Sequence, residues 1–131
     1  MTEYTKHKNN AYNYNNILDY SIVMTYFKRH AQLNETLCSF NQYKNEKIEV
    51  IIINDGPDDD LITLINNFNY PILLIQINLN TKNYFNPCIP FNIGFKYIQS
   101  PITIIQNAEC LHYNNIITSA KIYDINESYQ V

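Results

Sequence analysis

The sequence predicts an α/β fold, a mostly parallel sheet of about four strands with helices on both faces. Apolar runs of strand length alternate along the chain with segments whose apolar residues recur at helical spacing, which is typical of βα units. One of these runs, Ile48 to Asn54, is apolar on both alternating faces, as expected for a parallel strand that is covered on both sides. A chain of 131 residues is one domain by length.

The first two βα units have the strongest signals. Tyr20 to Thr25 is rich in β-forming residues, and the segment after it carries apolar residues at helical spacing, namely Leu33, Leu37 and Phe40. Ile48 to Asn54 is the second strand. The acids at 58–60 are expected to supply the N-cap and first turn of the next helix, whose apolar residues are Leu61, Leu64, Ile65 and Phe68.

The last two strands and the ends of the chain complete the predicted order. Pro71 to Ile77 is the third strand, a polar loop follows, and Pro90 suits the first turn of a helix. Pro101 to Gln106 is the fourth strand. Residues 1–18 are polar and have no apolar period, so we expect a loosely held extension and place the folded domain at 19–131.

Charge and composition exclude several classes of partner. The net charge is -3 and the nine Lys and Arg residues are scattered, so we expect no nucleic-acid binding. No stretch is apolar enough for a membrane span or for a signal peptide. The three cysteines are odd in number and form no CxxC pair, which argues against a disulfide framework or a zinc site and favours a reducing, cytoplasmic location.

Polar side chains cluster where three of the predicted strands end, in the segments 25–29, 54–56 and 106–109. In open parallel sheets, ligands bind beyond the carboxyl ends of the strands. Tyr26 is therefore a candidate to stack on a base and Arg29 a candidate to meet a phosphate. Asp55 is able to accept hydrogen bonds from a base or a ribose, and Gly56 would let the backbone approach a ligand.

Each of these segments also has a purely structural interpretation. Asp55 could cap the following helix, with Gly56 supplying a positive φ, and the charges near Arg29 could face water at a helix start.

Glu109 ends a buried strand, so it should be solvated, paired or bound to a metal. As a hard oxygen ligand it suits Mg²⁺ or Mn²⁺, with His112 as a second ligand or a donor to phosphate.

Three stretches, taken together and in order, resemble the nucleotide-binding half of family 2 glycosyltransferases of the GT-A fold. SIVMTYFKR is similar to the family's opening strand and turn, and IEVIIINDGPDD to its second strand with the Asp-Asp-Gly-Ser turn. NPCIPFNIGFKYIQSPITIIQNAEC is similar to its Arg-Asn-x-Gly helix leading to Asp-x-Asp. The resemblance covers residues 21 to about 112 and implies a Rossmann-like GT-A half.

The resemblance implies a nucleotide-sugar donor, in most cases a UDP-sugar, and an unknown saccharide or protein acceptor. The nucleotide-binding positions that it suggests, together with those suggested by the strand ends, are Thr25, Tyr26, Arg29, Asp55, Gly56, Asn92 and Asn107. Asn92, with Gly94, would stand at the helix start near the diphosphate. Glu109 would hold the metal and is also our candidate catalytic residue.

The chain departs from the family pattern at several positions. Asn54 replaces the first acid of the base-binding turn, Phe91 replaces the helix-start Arg, and Asn107-Ala108-Glu109 replaces Asp-x-Asp. With one carboxylate, Mn²⁺ or Mg²⁺ should bind weakly or not at all. The half that carries the acceptor site and catalytic base is expected to be missing, which leaves a non-catalytic sugar-nucleotide-binding module or decayed remnant as the alternative and predicts a homodimer across the open sheet edge.

Overall fold

A computed structural model describes residues 2–12, 17–43, 46–82 and 88–113 of the chain. The strands are β1 (Tyr4–Lys8), β2 (Tyr20–Tyr26), β3 (Ile48–Asn54), β4 (Ile72–Ile77) and β5 (Ile102–Asn107). The helices are α1 (His30–Ser39), α2 (Leu61–Ile65) and α3 (Cys88–Phe95), with short 3-10 turns at Phe40–Tyr43 and Leu79–Thr81. In this part of the chain, no helix has the length and apolar character needed to cross a membrane.

The five strands form one sheet in the order β1-β4-β3-β2-β5. All neighbouring strands are parallel except β1 and β4, which run antiparallel. From β2 the chain moves outward through β3 to β4, and it then returns to the other side of β2 as β5. The strand order therefore reverses beside β2, and in open α/β sheets this switch point is where ligands bind.

Both faces of the sheet are covered, which confirms the predicted α/β arrangement. On one face, α1 and α2 pack over alternate residues of the central strands, among them Ile22, Met24, Val50 and Ile52. On the other face, α3 packs over the intervening residues, among them Val23, Ile51 and Ile53. Since almost all of these side chains are out of contact with water, the sheet is a fixed platform for the residues at its edges.

Gly94 allows α3 to lie close to the sheet. A Cβ atom at this position would come within 2.7 Å of Ile53 Cδ1 and 3.2 Å of Val23 Cγ1. Such distances are too short for ordinary packing, so a side chain here would push the helix away from β2 and β3. Gly94 therefore has a packing role.

Asn92 is exposed and lies inside α3, which begins at Cys88, so our expectation that Asn92 marks the helix start was wrong.

The opening segment differs from the loosely held extension that we expected. Residues 4–8 form the edge strand β1, paired with β4, and Asn78 N donates a hydrogen bond to Glu3 O. A strand at a sheet edge needs only backbone hydrogen bonds and one partly buried face, so it can be polar in sequence. Lys6 and Lys8 point from this edge toward the rings of Tyr97 and Tyr12, respectively.

At the other edge of the sheet, β5 pairs only with β2 among the described residues. An open edge of this kind is the basis of the homodimer that the sequence analysis expects. The homodimer stays a prediction.

Candidate functional site

The carboxyl ends of β2, β3 and β5 bring the three polar segments together, as the sequence analysis expected. Thr25 on β2 lies opposite Asn107 on β5 in the parallel register. Tyr26 on the same strand lies opposite Asn54 on β3. The candidate site is therefore centred on β2, at the point where the strand order reverses.

Asn54, which stands in place of an acid, organises the turn after β3. It is fully buried, and its Oδ1 accepts a hydrogen bond from Gly56 N at 2.9 Å. Its Nδ2 donates to Gln76 Oε1 at 2.7 Å and to Pro57 O at 3.1 Å. A carboxylate could not donate these last two bonds, so the amide is the side chain that this turn requires.

Asp55 is held at the rim of the site by Lys82, which was not among the residues predicted from the sequence. Lys82 Nζ lies 3.1 Å from Asp55 Oδ1 and 3.2 Å from the Asp55 carbonyl oxygen. The backbone N–H of Asp55 donates to the Tyr26 carbonyl at 3.0 Å. The side chains of Asp55 and Lys82 are about one quarter exposed, so this ion pair lies at the surface of the site.

Phe27 supplies the exposed aromatic ring of the site. Its side chain lies against Gly56, where an added Cβ would come within 2.8 Å of the ring. Phe27 is 54% exposed. No described glycine has a positive φ, so Gly56 is needed for contact with Phe27 and not for backbone strain. The expectation that Gly56 supplies a positive φ was therefore wrong.

Tyr26 lies inside the core, which conflicts with the stacking role expected of it. The residue is 1% exposed, so its ring offers no free face to a base. Its hydroxyl donates a hydrogen bond to Asp59 Oδ2 and accepts one from the backbone N–H of Arg29. Burial raises the pKa of the Tyr26 hydroxyl, and the bond to Asp59 raises it further. Tyr26 therefore acts on the site by fixing the backbone around it.

The acids before α2 do not cap that helix as expected. Asp60 occupies the N-cap position with a left-handed φ of 56°, and its side chain makes no cap hydrogen bond. Instead, Asp60 Oδ1 accepts from the Thr63 hydroxyl at 2.9 Å, and Asp58 Oδ1 accepts from Asp60 N at 3.2 Å. Asp59 is engaged by Tyr26. These acids order the loop between β3 and α2.

Glu109 and Arg29 meet across the switch point. The distance from Arg29 Nε to Glu109 Oε1 is 3.7 Å, and the two side chains are 58% and 48% exposed. Asn107, also exposed, closes β5 beside them, and its carbonyl accepts a hydrogen bond from Cys110 N. The structure thus places the candidate phosphate-binding and candidate catalytic side chains in contact with each other.

His112 is not available as a metal ligand or as a donor to phosphate. It is 4% exposed, and both ring nitrogens are used: Nδ1 lies 2.6 Å from the Tyr43 hydroxyl and Nε2 2.7 Å from Gln106 Oε1. Because Gln106 Nε2 donates to the Cys110 carbonyl, its Oε1 is an acceptor, so His112 carries its proton on Nε2. Burial lowers the pKa of His112 to about 4, so the ring is neutral.

The residues at the site do not fit a divalent cation. Within the described ranges, no group of three or more His, Cys, Asp or Glu side chains is placed to hold a metal ion. Glu109 stands alone beside the neutral Asn107, and its carboxylate is already next to the positive charge of Arg29. A metal ion on this carboxylate would be repelled by the neighbouring guanidinium.

A cavity of about 680 Å³ lies away from this site, at the amino ends of β2, β3 and β4. Its lining includes Phe40, Tyr43, Ile48 and Tyr70. Two of its polar groups are already used, since the Tyr70 hydroxyl donates to Leu37 O and the Tyr43 hydroxyl bonds His112. The exposed charged groups and the switch point favour the opposite edge of the sheet as the ligand site.

Comparison with known proteins agrees with the observed α/β fold. The family described as "Glycosyl transferase family 2" matches residues 21–119, which run from the second residue of β2 past the end of β5 and include every candidate site residue. Searches of the curated proteins and of the solved structures gave no significant match. Since the family match spans well over half of the sequence, this chain belongs to glycosyl transferase family 2.

Proposed function

We propose that the chain binds a UDP-sugar at the carboxyl ends of β2, β3 and β5 and transfers the sugar to a hydroxyl of a saccharide or protein acceptor. Family membership supports a nucleotide-sugar donor and an acceptor in general. The observation that carries the proposal is the convergence at one switch point of an exposed ring, a held carboxylate and an exposed guanidinium: Phe27, Asp55 and Arg29.

The base would lie on Phe27 beside Asp55. Phe27 is 54% exposed, its ring lies against Gly56, and Lys28 Nζ lies 5.4 Å from the ring centroid, so the ring offers an exposed surface for stacking. The carboxylate of Asp55 accepts hydrogen bonds and Lys82 fixes its position. Uracil carries an imide N–H that can donate a hydrogen bond to such a carboxylate. This supports UDP as the nucleotide.

The remaining groups suit the transfer step. The bond between the anomeric carbon and the diphosphate oxygen breaks, and its electron pair leaves with the diphosphate. The acceptor oxygen bonds to the anomeric carbon and gives its proton to a base. Arg29 would stabilise the diphosphate, and Glu109, the exposed acid beside it, would take the proton. Thr25 and Asn107, opposite each other between these groups, would face the ribose.

A non-catalytic sugar-nucleotide-binding module is the second candidate, and one observation favours it. Each acid near the site is paired in this structure: Asp55 with Lys82, Asp59 with Tyr26, and Glu109 with Arg29. Release of UDP from a panel of UDP-sugars, with and without saccharide acceptors, separates the two. A module of this kind would bind UDP and release none from UDP-sugars.

Replacing Phe27 tests the position of the base. Loss of base stacking is worth about 1 to 3 kcal/mol, so Phe27→Ala should weaken UDP binding by about 10- to 100-fold in calorimetry. Phe27→Tyr keeps the ring and should bind within about two-fold of the wild type. Phe95→Ala removes a partly exposed ring from α3 and should have no effect on UDP affinity. Equal affinity of Phe27→Ala and the wild type would contradict this placement.

A further inference from the structure

The charge partner of Glu109 is the only arginine in the chain. Arg29 reaches Glu109 through Nε at 3.7 Å, and within the described ranges its guanidinium forms no hydrogen bond and no other ion pair. This is a loose contact between two half-exposed side chains, so it is easily exchanged. The amino groups at the end of the guanidinium remain open toward solvent, and they are the groups that bind phosphate oxygens in pairs.

The backbone of Arg29, by contrast, is fixed. Its N–H donates to the buried hydroxyl of Tyr26, and its carbonyl accepts a hydrogen bond from Leu33 N at 2.8 Å in the first turn of α1. Tyr26 is itself held by Asp59. The start of the Arg29 side chain is therefore anchored beside β2, while its charged end is free to change partner.

A nucleotide-sugar donor brings a diphosphate whose charge must be neutralised. A divalent cation does not fit the residues here, because the one available carboxylate, Glu109, already neighbours a positive charge and is flanked by the neutral Asn107. Among the described residues, the guanidinium is the one cation that forms an ion pair with a side chain just after β5. It carries a planar set of donors that matches phosphate as well as it matches carboxylate.

Resting on the function proposed above, we infer that Arg29 takes the role that a divalent metal would otherwise have, so that the chain binds the diphosphate without a metal ion. In the free chain Glu109 neutralises Arg29. When the donor binds, the diphosphate replaces Glu109 as the partner of Arg29, and the exchange leaves Glu109 as a free carboxylate. The proposed base is thus released only when the sugar to be transferred is present.

Calorimetric titration of the whole chain with UDP, in EDTA and in Mn²⁺, tests this inference, with GDP in parallel as a second base. We expect the dissociation constants for UDP to agree within about two-fold between the two buffers. Arg29→Gln should weaken binding by about 10- to 100-fold, because a charge-assisted hydrogen bond is lost. Lys96→Gln removes the same charge from an exposed residue after α3 and is expected to change affinity less than about two-fold.

Glu109→Gln gives the sharpest result, because two mechanisms predict opposite signs. If Glu109 competes with the diphosphate for Arg29, its neutralisation should raise UDP affinity by about two- to ten-fold. If Glu109 holds a metal, the same change should lower affinity and remove any effect of Mn²⁺.

Two results would overturn the inference, and they differ in what they leave standing. UDP binding that requires Mn²⁺ and is lost in Glu109→Gln would overturn the metal-free site and keep the proposed function. Absence of binding to UDP and to GDP in both buffers would overturn the proposed function and this inference together. Both side chains are exposed, so neither variant should unfold the chain, and thermal melts check this.

Discussion

Replacing Asn9 by Ala is expected to lower the free energy of unfolding by about 3 kcal/mol or more. Asn9 follows β1 and is 4% exposed. Its Nδ2 donates to the carbonyls of Ile65, Phe68 and Tyr70 at 3.0, 3.4 and 2.9 Å, and its Oδ1 accepts from Ile72 N at 2.9 Å. Alanine would leave these buried backbone groups without partners, which costs more than the bonds themselves contribute.

Urea denaturation measures this effect, and the neighbouring residue is the control. Asn10 is exposed, and its backbone N–H, not its side chain, bonds Asn66. Asn10→Ala should therefore change stability by no more than about 0.5 kcal/mol. If the two variants were equally stable, the opening segment would be the loose extension that its composition suggests, and β1 would contribute little to the fold.

Acidification should destabilise the chain through His112. The folded-state pKa of this residue is about 4 and its ordinary value is 6.5, because burial disfavours the charged ring. The unfolded chain therefore binds a proton in this range while the folded chain does not, and stability falls as the pH falls from 6.5 toward 4. The loss attributable to His112 is about 3 kcal/mol at the lower limit.

The difference between the wild type and His112→Gln isolates this contribution. Burial raises the pKa of Glu49, so that residue makes stability fall as the pH rises, which is the opposite slope. When the unfolding free energy of the variant is subtracted from that of the wild type at each pH, the contribution of Glu49 cancels, because both proteins contain it. The advantage of the wild type should be largest near neutrality and shrink by about 3 kcal/mol near pH 4. A difference that does not change with pH would contradict the burial of a neutral ring.

His30→Gln is the matched control for this experiment. His30 is exposed at the start of α1, so His30→Gln should change the free energy of unfolding at neutral pH by no more than about 0.5 kcal/mol. The same histidine exchange then has two different outcomes, and the difference comes from position alone.

The central strands could be predicted from the sequence because a strand that is covered on both faces is a short, nearly continuous run of apolar residues. Ile48 to Asn54 is the clearest case, and the structure forms β3 over the same residues. The edge strand β1 could not be predicted, since its polar side chains are those of a surface loop and only backbone hydrogen bonds mark it as a strand. The burial of Asn9 could not be predicted either, because the residue type alone does not distinguish a buried asparagine from an exposed one.

The site was predicted in outline, and the errors have identifiable causes. The choice of Tyr26 over Phe27 ignored the strand period, since Tyr26 shares its face with Met24 and Ile22, which are core residues. His112 was misjudged because one of its two partners, Tyr43, lies 69 residues away along the chain. Long-range contacts of this kind cannot be read from spacing along the sequence.

Lys82 was missed for a similar reason. It lies 27 residues from Asp55 along the chain, in the loop after β4, and only the folding of the parallel sheet brings the two together. The loop after β4 begins at the carboxyl end of a parallel strand, where ligands bind, and this is the one signal that could have pointed to Lys82.

A crystal structure of the chain with UDP tests the central claim most directly, because it shows where the nucleotide lies. We predict uracil stacked on Phe27 with its imide N–H donating to Asp55, and the diphosphate in contact with Arg29. UDP bound instead in the cavity at the amino ends of the strands, beside Tyr43 and Tyr70, would contradict the account.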